Sequence, residues 1–544
     1  MKRTSPVAPE KLLAFLLEPR SYPHRPHRVR LIQTHISYLL IAAPYVYKVK
    51  KPVNLGFLNF STLENRRYFS ERELLLNRRL CPSIYLEVVP ISLTAGHLVF
   101  GFGAEVIEFA IKMRKLQDRY FLLRLLEHNR IRTKELDRIV STLKAFYEKQ
   151  TPPAEEVTEW GRIKRLKIST DENFRQTEAF IGCTISRPAF QTICSFTAGF
   201  YKRNVGLFNS RIRQKWIRDC HGDLHLEHIH MGPQALSIYD CIEFNDRFRY
   251  IDVASDLAFL AMDFDYHGYA DLSRQLMERM AVALSDRGMQ RLIDFYKCYR
   301  AYVRGKVESF AQSEAEMPEA ERSESRTRAR RYFQLALQYA ICGSRPLVVI
   351  VTGRVGSGKS TLASALGSEL GWEVFSSDQT RKEIAGVPLY ERGGPSARRR
   401  LYSEAMTRKT YDTLLRKALN RVKERRCLIL DATFSRRHHR DRLRKQLDQV
   451  SVAYCFVEAR ASEEILKRRL KRRGNETNEI SDARFEDFEK LNQAYEAPLE
   501  LKAYNLIAVN TARPIETTVA ETLRGLLQQN SVRSGDPDGQ LGRP

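Results

Sequence analysis

Along residues 28–53 apolar and β-branched residues crowd together in VRLIQTHISYLLIA and YVYKVKKPV, with Ala-Pro between them. The pattern predicts two strands joined by a turn. STLENRRYFSERELLLNRRL follows; it begins with Ser61, a residue type that caps helices, and carries an apolar rhythm at helical spacing. YLEVVPISLTAGHLVFGF and EVIEFAIKM return to strand character, and from Gln117 to about Gln150 the spacing is helical again. A small β-rich lobe therefore precedes a helical region.

Residues 310–330, FAQSEAEMPEAERSESRTRAR, hold few apolar positions and predict a linker, followed by a helix RARRYFQLALQYAI. At Pro346 the pattern changes. PLVVIVTG, CLILDAT and VAYCFVEA are apolar runs of buried-strand length, each flanked by helical stretches. Strands alternating with helices predict an α/β domain with a parallel sheet. The polar, glycine-bearing end NSVRSGDPDGQLGRP predicts disorder. The expected division is an extension 1–27, a first domain 28–309, a linker and connecting helix 310–345, a second domain 346–528 and a tail 529–544, with no internal repeat.

Composition narrows the classes. The 544 residues are 43% hydrophobic and 28% charged, with no apolar run long enough to span a bilayer. The basic start lacks the apolar stretch of a signal peptide. The nine cysteines are scattered without a CxxC pair, which argues against a disulfide framework or thiolate zinc site and for a reducing, cytoplasmic setting. The net charge is +25, and residues 391–450 hold 18 Lys/Arg against 7 Asp/Glu. That density suits an anionic partner, a nucleic acid among the alternatives, or simply solvated helix faces. Nothing in the sequence specifies an oligomeric state.

GRVGSGKS, Gly353–Ser360, matches G-x-x-x-x-G-K-[ST] between an apolar strand and a helix beginning at Thr361. Gly353, Gly356 and Gly358 let backbone N–H groups, Ser357 included, converge on phosphate; Lys359 reaches the outer phosphates and Ser360 can ligate Mg²⁺. The next strand, WEVFSSD, is expected to end at Asp378, placed to accept a proton from an acceptor hydroxyl, with Arg381 to hold the acceptor. LILDATF places Asp431 as a second metal acid. EILKRRLKRRGNE sets Arg469 and Arg473 one helical turn apart, where they can close over a triphosphate. These residues resemble the small P-loop kinases that include gluconate kinase, zeta toxins and polynucleotide kinase. The resemblance implies Asp378 as base, Arg381 as an acceptor contact and Arg473 as the lid arginine.

CHGDLHLEHIH, residues 220–230, has four histidines around Asp223. Three histidines and a water would serve zinc. The HGDLH segment also resembles the catalytic loop of aminoglycoside phosphotransferases. That resemblance implies a two-lobed α+β protein-kinase-like domain in which Asp223 is the base and Asp240 a metal ligand. His228 stands where those enzymes usually carry a metal-ligating asparagine. A nitrogen donor there weakens Mg²⁺, shifts preference toward Mn²⁺, or marks an impaired site. Lys48 or Lys50 is the small-lobe lysine for the α/β phosphates, with Glu73, or Glu71, to hold it. Asp256 in DVASDLAFL would anchor helices.

With CIEFNDRFRYIDVASDLAFLAMD and YKVKKP, the chain resembles the bacterial fusion family that joins such a phosphotransferase-like domain to an α/β P-loop kinase. The resemblance implies two ATP-dependent sites acting on hydroxyl acceptors it does not name. The alternatives are a regulatory first half with only the P-loop half active, and nucleic-acid ends as the P-loop half's acceptor.

Overall fold

The computed structural model describes residues 7–150, 154–314, 317–391, 394–474, 480–481, 484–502 and 505–534. The chain divides into two compact units, Met1–Ile168 with Val205–Ile293, and Ser169–Asn204 with Asp294–Pro544. Among the described residues no helix is long and apolar enough to cross a membrane.

The first unit contains a six-stranded sheet of β1 (Arg30–Gln33), β2 (Ser37–Ala42), β3 (Tyr45–Lys50), β4 (Tyr85–Thr94), β5 (His97–Phe100) and β6 (Glu105–Arg114). Its order is β1-β2-β3-β6-β4-β5, antiparallel throughout. The first expected strand is two, because the Thr34 hydroxyl accepts from Ser37 N at 3.0 Å and closes a turn inside it. Period-two alternation puts Tyr45, Tyr47 and Val49 into one core and Val46 into the core on the opposite face. The segment 1–27 is more than an extension: a helix Pro9–Leu17 buries Leu16, and Tyr22 packs on Tyr47 and Phe100.

The helix Leu63–Asn77 departs from its expected pattern. Its cap is Thr62 rather than Ser61, accepting from Asn65 N at 3.1 Å. Its buried face carries Arg66, Ser70, Glu73 and Asn77, while Leu75 is 69% exposed. Arg66 pairs with Glu108 at 2.9 Å, so this face is held to the sheet by charge. Beyond the sheet lie a largely buried helix Val253–Tyr266 and two short ribbons, β7 (Ile217–Asp219) with β10 (Tyr250–Asp252) and β8 (Ile229–Met231) with β9 (Leu236–Ile238).

The second unit is built on a parallel sheet of β11 (Leu347–Thr352), β12 (Glu373–Ser376), β13 (Leu428–Asp431), β14 (Ala453–Arg460) and β15 (Leu506–Asn510), in order β12-β13-β11-β14-β15. The central β11 is buried along its whole length, as a strand covered on both faces must be. The expected linker and connecting helix 310–345 contains the whole of a helix Glu319–Cys342, which starts nine residues before the expected Arg328 and buries Ala329, Tyr332, Phe333, Ala336, Leu337 and Ala340. Those positions repeat at i, i+3, i+4 and i+7, the stripe of a packed amphipathic helix. It packs with the helices Arg187–Arg203 and Ile515–Ser534, so 187–203 belongs with the second unit. The expected disordered tail is helical as far as Ser534, with Gln529 buried and Asn530 Nδ2 donating to the Ala340 carbonyl at 3.0 Å; 535–544 lie outside the described residues.

Arg211 is 1% exposed and donates to both Asp252 oxygens, at 2.8 and 2.6 Å, and to Asp286. Removing one partner of such a cluster strands buried charge. Arg211→Ala is expected to lower unfolding free energy by about 3–5 kcal/mol in denaturant titrations, while Arg67→Ala, at an exposed pair, changes it by less than about 1 kcal/mol.

Candidate functional sites

In the first unit, alternation on β3 turns Lys48 and Lys50 to the same face, and both reach Glu73. Lys48 Nζ lies 2.8 Å from Glu73 Oε1 and 2.7 Å from Asp240 Oδ1. Lys50 Nζ lies 2.6 Å from the other Glu73 oxygen and contacts Glu243. The two lysines differ in geometry: Lys48 faces the Asp240 carboxylate, and Lys50, 1% exposed, closes a buried ion cluster. Glu71 pairs instead with exposed Arg67. Loss of water around Lys48 alone would lower its pKa, but Asp240 and Glu73 raise it well above the usual lysine value. Desolvation alone would raise Asp240, yet Lys48 and then His228 hold it below the usual carboxylate range, although 41% of its side chain is open. Burial raises Glu243.

The 220–230 loop is held from behind by Asp256, which accepts from His221 N at 3.0 Å, Gly222 N at 2.9 Å and the Tyr147 hydroxyl at 2.9 Å. Gly222, at φ 88°, could not carry a side chain, since its Cβ would sit 2.8 Å from the Phe248 carbonyl. Asp223 is thus presented beside two imidazoles: its Oδ2 is 3.5 Å from His225 Nε2 and 3.6 Å from His228 Nδ1. His228 Nδ1 lies 2.9 Å from the Asp223 carbonyl, and its Nε2 is 3.5 Å from Asp240 Oδ2. Asp240 sits at φ 63°. Burial and then the neighbouring His225 lower the His228 pKa. His230 is spent elsewhere, 3.1 Å from the Gln117 carbonyl. Lys48, Glu73, Asp223, His228 and Asp240 therefore converge; Lys50 and Glu243 support them, and Glu243, in the CIEFND tract, was not singled out from the sequence.

In the second unit the loop after β11 takes positive φ at Gly353, Gly356 and Gly358 (144°, 76° and 83°). A Cβ on Gly353 would lie 2.5 Å from the Ala459 carbonyl. The helix Lys359–Leu370 starts at the end of this loop, with Ser360 and Thr361 exposed in its first turn. Crowding lowers the Lys359 pKa, opposed by Asp431 and Asp378, and nearby Arg473 lowers it further. Burial raises Asp431, which Lys359 and a hydrogen bond from Ser360 counter. Lys359, Ser360, Asp378, Asp431 and Arg473 are thus within electrostatic reach of one another. Asp431 ends β13 as expected. Asp378 does not end its strand: β12 stops at Ser376, and Asp378 lies in the first turn of the helix Ser377–Ala385, because that short edge strand passes directly into the helix.

Arg381 is turned inward. Its Nη1 donates to the Leu401 carbonyl at 2.8 Å and Thr407 Oγ1 at 3.2 Å, and its guanidinium lies 4.6 Å from the Tyr402 ring centre. The Tyr402 hydroxyl is 3.4 Å from Asp378 Oδ1. Arg469 donates to the Thr511 carbonyl at 2.6 Å, and the Thr511 hydroxyl donates to Ser357 O at 2.6 Å. Thr511 follows β15, a strand the sequence reading missed; the apolar run LIAV before Asn510 was its available signal.

His221 gives the first site a pH signature. Burial lowers its pKa from 6.5 to about 4. Between those values the unfolded chain binds a proton that the folded chain does not, so stability falls as pH falls. The wild type should lose on the order of 3 kcal/mol across that window. A His221→Gln variant should show a correspondingly shallower slope in unfolding free energy measured from pH 7 to pH 4.

Residues 348–498 match the family model described as AAA domain. The chain is 30% identical over 404 residues to "Uncharacterized protein Rv2004c" of Mycobacterium tuberculosis (strain ATCC 25618 / H37Rv), covering 74% of this chain and 78% of that protein. "Uncharacterized protein Mb2027c" of Mycobacterium bovis matches to the same extent. Among solved structures, a gluconokinase from Sinorhizobium meliloti 1021 is 21% identical, covers 34% of this chain and 95% of its own, and has a TM-score of 0.26. An APS kinase of Mycobacterium tuberculosis is 20% identical, covers 34% and 98%, and has a TM-score of 0.24. The chain belongs to the family of these mycobacterial proteins, and its C-terminal region, which matches the AAA domain model, is an α/β P-loop domain with a parallel sheet.

Proposed function

We propose that the chain is an ATP-dependent phosphotransferase with two nucleotide sites, a protein-kinase-like one in the first unit and a P-loop one in the second. The observation that carries the two-site reading is Lys48 shared between Glu73 and Asp240 at 2.8 and 2.7 Å, with Asp223 on the adjoining loop. That arrangement is what the resemblance to aminoglycoside phosphotransferases requires of a kinase lobe. Lys48 binds the α/β phosphates. Asp223 accepts the proton of a hydroxyl acceptor as its oxygen attacks the γ-phosphorus and the bond to ADP breaks. Glu73 keeps Lys48 extended, and Lys50 with Glu243 fixes Glu73.

In the second unit the 353–361 loop cradles the triphosphate, Lys359 spans its outer phosphates, Asp378 takes the acceptor proton and Arg473 balances the charge that develops. Ser360 and Asp431 offer oxygen donors, hydrogen-bonded to each other, a set that fits Mg²⁺. When bound, Mg²⁺ neutralises phosphate charge there. Arg381 acts on the acceptor side by holding Tyr402 over Asp378.

A second reading makes the first unit a nucleotide-binding regulator, favoured by the imidazole of His228 on the metal-facing side of Asp223. A nucleic-acid end is a narrower acceptor for the P-loop half, supported by the basic stretch 391–450; oligonucleotide binding that stays weak at low salt removes it.

The test is transfer of labelled γ-phosphate across small-molecule and oligonucleotide acceptors. Asp223→Asn should abolish one set of products and Lys359→Ala the other, each by about 10²–10⁴-fold. If Asp223→Asn changes nothing while Lys359→Ala removes all transfer, the regulatory reading replaces the two-site one. If neither changes turnover, both fail.

A further inference from the structure

Asp240 and His228 meet at a distance that a hydrogen bond does not explain. His228 Nδ1 lies 2.9 Å from the Asp223 carbonyl, which can only accept. Nδ1 therefore carries the proton, and the lone pair is on Nε2. That nitrogen stands 3.5 Å from Asp240 Oδ2. Lys48 already takes Asp240 Oδ1, at 2.7 Å, so Oδ2 is the oxygen left facing the imidazole.

Two acceptors thus confront one another in a partly enclosed site. A charge-assisted hydrogen bond would close the gap to about 2.7–2.9 Å. A shared metal ion would leave it near its observed size: donors about 2.1 Å from one ion stand about 3.0 Å apart at a right angle and about 3.4 Å apart at the tetrahedral angle. The neighbouring trio of Asp223, His225 and His228 is less suitable. Although its donor atoms lie within 4.8 Å of one another, it would use the Nδ1 that the Asp223 carbonyl engages, or displace Asp240 from Nε2.

The donor set does not fit Mg²⁺, which takes hard oxygens in near-octahedral geometry, whereas imidazole suits transition-metal dications. We propose that His228 Nε2 and Asp240 Oδ2 form a site for a nitrogen-accepting divalent transition ion in preference to Mg²⁺, with Mn²⁺ as its paramagnetic probe. The two units then differ in metal, since Ser360 and Asp431 present oxygen alone. The ion's role in transfer rests on the phosphotransferase reading; its binding does not.

Mn²⁺ added to the full chain and followed by electron spin echo modulation from ¹⁴N tests this directly. Wild type should show imidazole coupling that survives about a hundredfold excess of Mg²⁺. His228→Asn should lose that coupling and bind Mn²⁺ at least about tenfold more weakly relative to Mg²⁺. Asp240→Asn should weaken Mn²⁺ in the same way, a second variant should the first not fold, and Lys359→Ala should retain the coupling. Absence of ¹⁴N coupling in wild type, or coupling unchanged in both His228→Asn and Asp240→Asn, overturns the proposal. Coupling that behaves as expected without any ATP turnover upholds the ion site and sinks the kinase reading. Transfer supported by Mg²⁺ with no nitrogen coupling does the reverse.

Discussion

Burying two lysines on one strand requires acids to meet them, and the first unit is organised around that need. Lys48 and Lys50 point to the same face of β3 because side chains alternate. Glu73 offers one oxygen to each. One carboxylate cannot neutralise two ammonium groups; Asp240 and Glu243 add one acid at each lysine, three carboxylates to two ammonium groups, and burial raises the Glu243 pKa. The cost of an unpaired buried charge exceeds that of exposing a leucine. The helix Leu63–Asn77 accordingly turns its polar stripe to the sheet and leaves Leu75 in water. The same constraint brings the 240–243 segment, which follows β9, against the sheet lysines.

The second unit meets an opposite electrostatic problem. Its phosphate loop gathers positive potential from a helix N-terminus, Lys359 and Arg473, with Asp378 and Asp431 only partly opposing it. Lys359 is less basic than an ordinary lysine, first because it is buried and only lastly because Arg473 stands near it. The loop is braced from outside by Thr511, whose hydroxyl holds the Ser357 carbonyl while its own carbonyl receives Arg469. The end of β15 thus supports both the loop and the arginine-bearing helix Glu463–Gly474, with Arg473 one turn beyond Arg469.

Much of this was legible where chemistry is local. The glycine spacing of GRVGSGKS, the apolar run before it and the acid that closes the strand LILD all rest on local chain pattern, and each fell where expected. Asp256 was expected to anchor helices; it holds the backbone of His221 and Gly222 and the Tyr147 hydroxyl, partners 34 to 109 residues away. The misreadings share a different cause. Residues 319–330 look like a linker because their apolar members are few, yet Ala329, Tyr332 and Phe333 suffice for a packed stripe once other helices cover it. Arg381 reads as a substrate contact from spacing alone, whereas the turn of Leu401 and Tyr402 decides that it faces inward.

By itself the sequence determined most element types, though not the helix Pro9–Leu17 or β15, the parallel pairing implied by alternating strands and helices, and the residue types able to do phosphate and metal chemistry. Those follow from periodicity and backbone conformation, which act over a few residues. Only the tertiary structure decided which lysine faces Asp240, that Glu243 shares the second, that residues 187–203 belong with the second unit, and that His228 Nε2 turns to Asp240. Each depends on groups far apart in the chain. Charge pairing and packing selected among partners that local pattern leaves equal.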